Sequence, residues 1–334
     1  MIIYAERGVS ATSATDNAQS RWQGASGLNL MEKIVEKLRK KEMKALLRIQ
    51  SAALYAIHRH MWGNRMTHIM PVLLSTITDP LNHSVGDASI RYCDQTLALT
   101  KSMILHKQVL ISGGLSGIYI ISPNVRLEKG DLGSSGRHLF EFSQVDIELA
   151  DARAKDFMGF AEGLYRDVFG FVGKECAGEL DALERKLPRL SGRLTVYDSS
   201  ELRDEFGLDF EREMSAEAKE PFWITNLCRE FYDREDPLTK KHVNYDLVYP
   251  EGFGEALSGG ERETEYGVIL RKMRERHTPE AEYAPYLELA RRGLLRKSAG
   301  GGFGVERLVR FLGGRAHIRD AVPFERVPGE KVVM

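Results

Sequence analysis

Between Val125 and Leu149, charged side chains alternate with apolar ones on both sides of a polar loop. This pattern constrains the fold more than any other in the chain. Arg126 and Glu128 alternate with Val125 and Leu127, so a strand would place both charges on one face. After the Gly- and Ser-rich loop Lys129–Gly136 come Arg137, His138, Glu141, Phe142, Asp146 and Glu148. The two runs predict an antiparallel hairpin with a long polar tip. Its face would gather guanidinium, imidazole, carboxylate and an aromatic ring. A guanidinium can fork a phosphate, and an aromatic face can stack a base. A solvated sheet face carrying salt bridges fits the same pattern equally well.

The rest of the chain suits a hairpin-rich sheet covered by helices. From Met31, apolar residues Ile34, Leu38, Leu46, Leu47, Leu54, Ile57 and Met61 recur at helical steps. Arg65–Thr78 reads as a turn into a strand, and Val109–Ser122 as a strand. Ala150–Gly173 returns to helical periodicity. Residues 174–220 read as a charged peripheral insertion with one short strand, Leu194–Tyr197. Pro221–Asn226 and Val243–Tyr249 read as strands, and Glu263–Arg276, Pro279–Arg292 and Val305–Leu312 as helices. Residues 1–28, rich in small polar side chains, read as an irregular arm before one domain over 29–334. Adjacent hairpins with helices outside them predict an α+β fold with a mostly antiparallel sheet.

Composition excludes several functional classes. Lys plus Arg number 47 and Asp plus Glu 48, so the chain lacks the basic excess of a general nucleic-acid binder. No apolar run approaches the ~20 residues needed to span a bilayer. The start MIIYAERGVS lacks the pattern of a signal peptide. Cys93, Cys176 and Cys228 form neither a disulfide framework nor a paired zinc motif, which points to a reducing cytoplasm. No GxxxxGK[ST] loop, HExxH helix or GxSxG elbow occurs.

Two glycine-rich segments complete the candidate set. Glu255-Ala256-Leu257-Ser258-Gly259-Gly260-Glu261-Arg262 reads as a polar turn. Glu255 and Ser258 in it could offer oxygens to Mg²⁺, which needs few protein ligands beside substrate phosphates. Gly300–Gly304 reads as a loop before a helix carrying Arg307, where small residues allow close approach of a ligand. Each pattern alone is common in proteins that bind no nucleotide.

Taken in order, the clusters are similar to the catalytic motifs of class II aminoacyl-tRNA synthetases. Arg126-x-Glu128, the loop and Arg137-His138-Leu139-x-Glu141-Phe142 resemble motif 2. Gly300–Gly304 with Val305-Glu306-Arg307-Leu308 resembles motif 3. Glu255-x-x-Ser258-Gly259-Gly260-x-Arg262, Pro221–Thr225 and the tail Ile318–Arg326 resemble the archaeal aspartyl and asparaginyl branch. The resemblance runs from about Met31 to Arg326. The residues before Met31 are too few for that branch's anticodon-binding barrel. The chain therefore most resembles the small archaeal paralogues related to asparagine synthetase A, taken to make asparagine from aspartate, ammonia and ATP.

That resemblance implies a fold, a reaction and roles. The fold would be the class II antiparallel sheet flanked by helices, in a homodimer built on the helix before Ile69–Leu74. Arg126 would clamp the α-phosphate and Glu128 the adenine amino group. Phe142 and Arg307 would sandwich adenine, and Arg137 and His138 would meet the outer phosphates. Glu255 and Ser258 would hold Mg²⁺. Lys101 and Arg262 would grip a carboxylate of aspartate, and Asp79 would face its amino group. Arg126 and Arg307 would carry catalysis. Asp79 or Glu265 could assist ammonia.

Two departures stand out. Where the aspartyl enzymes have Ser-Pro-Gln-Leu-x-Lys, Thr96–Lys101 keeps the lysine, which favours aspartate, but has Ala98 for the glutamine. Thr78-Asp79-Pro80-Leu81 replaces an acid followed by two glycines. Both suit an aspartate turned so that its side-chain carboxylate meets ATP. The alternative is an enzyme that aminoacylates tRNA or another acceptor, although tRNA binding is not expected from the near-neutral charge. A silent binding paralogue would be expected to lose Arg126, Glu255 or Arg307, and all three are present.

Overall fold

The computed structural model describes residues 25–334 except positions 189, 191 and 333, and no side chain before residue 31. The expected arm over 1–28 therefore lies outside the described residues up to position 24. From Ala25 the chain is helical.

The helical period from Met31 to Met61 is divided between two helices. Helix α1 spans Ala25–Arg39 and α2 spans Lys41–Gly63, with extended backbone at Lys40 between them. Helix α2 buries Ile49, Ala53, Ala56 and Ile57 completely. Their three- and four-residue spacing is the apolar stripe that docks a helix on a sheet. Strand β1 (Thr67–Ile69) follows, then a small sheet of β2 (Leu74–Ser75), β3 (Ser89–Tyr92) and β4 (Gln95–Leu99).

The strand expected over Val109–Ser122 starts later. Residues 109–112 close helix α3 (Ile104–Ser112), and strand β5 runs Gly117–Val125. The short helix was hidden because it is buried on several sides, including at Lys107 and Gln108. An apolar run buried all round carries no amphipathic signal. The predicted hairpin is present: β5 pairs antiparallel with β6 (Glu141–Ala150).

Helix α4 (Ala154–Glu175) and short α5 (Ala177–Ala182) follow, then β7 (Val196–Asp198), α6 (Ser199–Phe206) and α7 (Phe210–Glu217). Strands β8 (Phe222–Thr225), β9 (Asn244–Tyr249) and β10 (Gly254–Glu261) form a meander. Helices α8 (Tyr266–Glu275) and α9 (Ala284–Arg291), strand β11 (Ser298–Gly304) and helix α10 (Val305–Leu312) complete the fold.

The main sheet has eight strands in the order β1-β5-β6-β11-β10-β9-β8-β7. It is antiparallel except at its two edges, where β1 joins β5 and β7 joins β8 in parallel. Helices α2, α4 and α10 cover one face. Val145, Ile147, Tyr245, Leu257 and Phe303 point into that core. Alternation sends Gln144, Asp146 and Glu148 to the opposite face.

Both glycine-rich segments, expected as a turn and a loop, are central strands. A Cβ at Gly300 would lie 1.9 Å from Glu148 Oε2, and one at Gly259 would lie 2.2 Å from the Gly300 carbonyl oxygen. Glycine is required because the Glu148 side chain crowds Gly300 and the backbone of the adjacent strand crowds Gly259. No helix among the described residues is long and apolar enough to cross a membrane.

Candidate active site

The sheet face opposite the helices forms a cleft of about 360 Å³. Asp79, Arg126, Glu128, Arg137, His138, Phe142, Glu255, Ser258, Arg262 and Arg307 all line it. Of the eleven predicted site residues only Lys101 does not.

Sheet register explains the convergence. Asp246, Ser258, Gly302 and Asp146 stand in one cross-strand row, and Asn244, Gly260, Gly300 and Glu148 in the next. A β-bulge between Glu255 and Leu257 inserts one extra residue. Without it, residues three apart on a strand would face opposite ways. With it, Glu255 and Ser258 share the cleft face while Ala256 and Leu257 both enter the core.

At one end the cleft carries the motif 2 and motif 3 side chains. Arg126 stands just past β5, and its guanidinium lies over the Phe142 ring, 5.2 Å from the centroid. Its Nε donates to the Lys101 carbonyl oxygen at 3.0 Å. Lys101 thus contributes backbone to the site rather than its ammonium. Arg307 donates to Glu255 Oε1 at 3.0 Å and to the Arg137 carbonyl oxygen at 3.2 Å. Glu128 accepts from His83 Nε2 at 3.1 Å. His138 lies beside these arginines. Burial first, then Arg307 and Arg137, lower its imidazole to about 4. It is therefore neutral near pH 7. Burial pushes the Glu255 carboxyl up, but Arg307, Arg229 and Arg137 outweigh it, so Glu255 is held below the usual carboxylate range.

The other end is a buried charge network. Lys107, 1% exposed, lies 2.9 Å from Asp146 Oδ1 and 3.5 Å from Glu148 Oε2. Arg262 forks Glu148 at 2.9 and 3.1 Å and reaches Asp233 at 3.3 Å. Burial raises the Glu148 carboxyl, but Arg262 and then Lys107 more than reverse this. Asp79 accepts from the Tyr232 hydroxyl at 3.1 Å.

Here the sequence reading needs correcting. The lysine in the pocket is Lys107, six residues beyond Lys101. The segment Ser102-Met103-Ile104-Leu105-His106-Lys107 fits the same Ser-x-x-Leu-x-Lys spacing. The missing amide then falls at Ile104 rather than Ala98. Glu265, the other acid considered for ammonia, precedes α8 and does not line the cleft.

Several cleft residues were not anticipated. Arg229, Glu230 and Asp233 come from the segment between β8 and β9, whose irregular sequence gives no periodic signal. Glu211 of α7 reaches Arg137 Nη1 at 3.1 Å and accepts from the Glu255 amide at 3.2 Å. The insertion expected to be peripheral therefore touches the site.

The two residues expected to hold Mg²⁺ are engaged by arginines. Arg229 donates to Ser258 Oγ and to Asp246, while Arg307 holds Glu255. Among the described residues no group of three or more His, Cys, Asp or Glu is arranged for a metal ion. A cation taken up there would compete with the Arg229 and Arg307 guanidinium groups for the Ser258 and Glu255 oxygens.

Comparison with known proteins agrees with the geometry. The family described as tRNA synthetases class II (D, K and N) matches residues 27–328. An aspartate–tRNA(Asp/Asn) ligase from Methanopyrus kandleri is 30% identical over 309 residues, covering 86% of this chain and 69% of that protein. An asparagine–tRNA ligase from Pyrococcus abyssi is 28% identical, covering 87% and 70%. The crystal structure of asparaginyl-tRNA synthetase from Pyrococcus horikoshii complexed with asparaginyl-adenylate superposes with a TM-score of 0.80. It is 25% identical and covers 88% of this chain and 71% of that one. With its mixed α+β architecture and large, mostly antiparallel sheet, the chain belongs to the family of class II tRNA synthetases (D, K and N).

Proposed function

We propose that the chain is an AMP-forming ligase that activates aspartate with ATP and passes the acyl group to ammonia. The products would be asparagine, AMP and pyrophosphate. One observation carries the reading: the cleft joins Arg126, Phe142 and Arg307 at one end to buried Lys107 and Arg262 at the other. The first group suits a nucleotide triphosphate, and the second suits an acidic amino acid.

In the first step a carboxylate oxygen of aspartate attacks the α-phosphorus and pyrophosphate leaves. Negative charge builds on the α-phosphoryl oxygens as the attacking carboxylate approaches. Guanidinium groups fixed before the reaction stabilise that charge without reorganising. Arg126, held by the Lys101 carbonyl, would act at the α-phosphate. Phe142 and Arg307 would hold adenine, with Glu128 at its amino group. Arg137 and neutral His138 would receive the outer phosphates. Lys107, in place of Lys101, would join Arg262 in reading the aspartate carboxylate. Asp79 would face the amino group. A Mg²⁺ ion at Glu255 and Ser258 would require Arg229 and Arg307 to yield those oxygens, so no step is assigned to it.

In the second step ammonia attacks the acyl carbon and AMP leaves. A second reading, in which tRNA is the acceptor, is favoured by the relatives, which are aspartate– and asparagine–tRNA ligases. Incubating the purified protein with ATP, labelled aspartate and ammonium separates the two readings. Asparagine and AMP without tRNA support the ammonia reading. Aspartyl-tRNA as the sole product would refute it. A homodimer is part of the same proposal. Exposed Met70, Val72 and Leu73 around Pro71 offer an apolar surface next to α2, and two-fold dimers are the commonest soluble assemblies.

A further inference from the structure

Three carboxylates gather at the amino-acid end of the cleft: Asp79, Glu230 and Asp233. Two of them are committed to neighbours. Asp79 Oδ1 accepts from the Tyr232 hydroxyl and from the Leu81 amide, both at 3.1 Å. Asp233 accepts from Arg262 at 3.3 Å and from Asn244 at 3.0 Å. Glu230 lines the same cleft, and among the described residues no other side chain hydrogen-bonds its carboxylate. A separate observation concerns Asp146, which is 1% exposed. It also lines the cleft, and its Oδ2 is buried without a partner. This end of the cleft is therefore short of N–H donors. A small nitrogen cation supplies what is lacking, because a buried carboxylate oxygen without a donor is costly.

Resting on the ammonia reading above, we propose that Glu230 is the general base of the amide-forming step and receives ammonium at the acyl-adenylate. Ammonium gives one proton to the Glu230 carboxylate. The freed nitrogen lone pair attacks the acyl carbon and forms the C–N bond. The C–O bond to AMP breaks, and AMP leaves with the electron pair. A second proton passes from the nitrogen to water, giving the neutral amide. Asp79 and Asp233 keep the potential around Glu230 negative without being free to accept that proton. Burial, and then Asp79 and Asp233, raise the Glu230 carboxyl to about 7. A base poised near the working pH is the most effective kind.

The test compares two rates on one preparation: ATP–pyrophosphate exchange with aspartate, and asparagine formation with ammonium. For Glu230→Gln the ratio of asparagine formation to exchange should fall at least thirtyfold, with a raised KM for ammonium. Glu230→Asp, with the charge kept and the reach shortened, should fall between this variant and the wild type. Should the Gln variant lose exchange altogether, the Asp variant decides by the same ratio. An unchanged ratio in the variants, with both rates moving together, overturns the role of Glu230. A wild-type protein that exchanges with aspartate yet forms no asparagine overturns the ammonia reading itself, which is a different result.

Discussion

The two ends of the cleft are charged in opposite senses. At the end proposed to take the nucleotide, three guanidinium groups, Arg126, Arg137 and Arg307, face two carboxylates, Glu128 and Glu255. Most of these side chains are part-exposed, and a triphosphate can exchange with their present partners. At the end proposed to take the amino acid, Lys107 and Arg262 face Asp79, Asp146, Glu148, Glu230 and Asp233. Here the charges are mostly buried and already paired. The first end is arranged to change partners, and the second to stay in place. A network that must not move can discriminate between amino acids, because a poorly matched group leaves a buried charge unpaired.

Substitutions should separate the ends by what they damage. The largest effect is expected at Arg262. Arg262→Met leaves Glu148 and Asp233 without their common partner, which should destabilise the fold by about 3–5 kcal/mol in urea unfolding. Arg126→Ala should instead lower ATP–pyrophosphate exchange by about 10²–10³-fold, with a urea midpoint near that of the wild type. Equal loss of stability in both variants would erase the distinction between the two ends. Phe142→Ala is expected to raise the KM for ATP by roughly tenfold, the scale of one lost base–aromatic stack, with a smaller change in kcat.

The smallest effects are in pH dependence, and they have opposite signs. His138 is lowered from 6.5 to about 4 in the folded chain. Its contribution is present above 6.5 and is lost as pH falls towards 4, when the unfolded state binds the extra proton. His138→Gln should therefore lose less stability across that acid range than the wild type. Glu230 is raised from 4.5 to about 7. Its contribution is present below 4.5 and is lost as pH rises through 7. Glu230→Gln should flatten that decline. Thermal melts from pH 4 to 8 measure both slopes, and slopes of the same sign would contradict the picture of two differently charged ends.

The end of the cleft proposed to take the nucleotide was legible in the sequence because Arg126, Glu128 and Phe142 sit in strand-like runs and Arg307 follows a glycine run into a helix. Arg126, Glu128, Phe142 and Arg307 needed only motif order to be placed. The glycine runs misled as local structure, since glycine suggests a turn. Whether Gly259 and Gly300 lie in a turn or a strand is decided by Glu148 and the backbone of adjacent strands, which are distant in sequence. The lysine was misplaced by six positions because Lys101 and Lys107 carry similar local spacing. Only tertiary burial tells them apart. Arg229 and Glu230 come from a segment without periodicity, so nothing local could point to them, and Glu211 lies in a helix read as part of a peripheral insertion.

The bulge at Glu255 has an evolutionary consequence. Ala256 is the surplus residue, so deleting it would restore plain alternation and leave both Glu255 and Ser258 on the cleft face. Chain length at that point can therefore change by one residue without turning the carboxylate away. A lineage could gain or lose that codon and keep the Glu255 carboxylate facing Arg307.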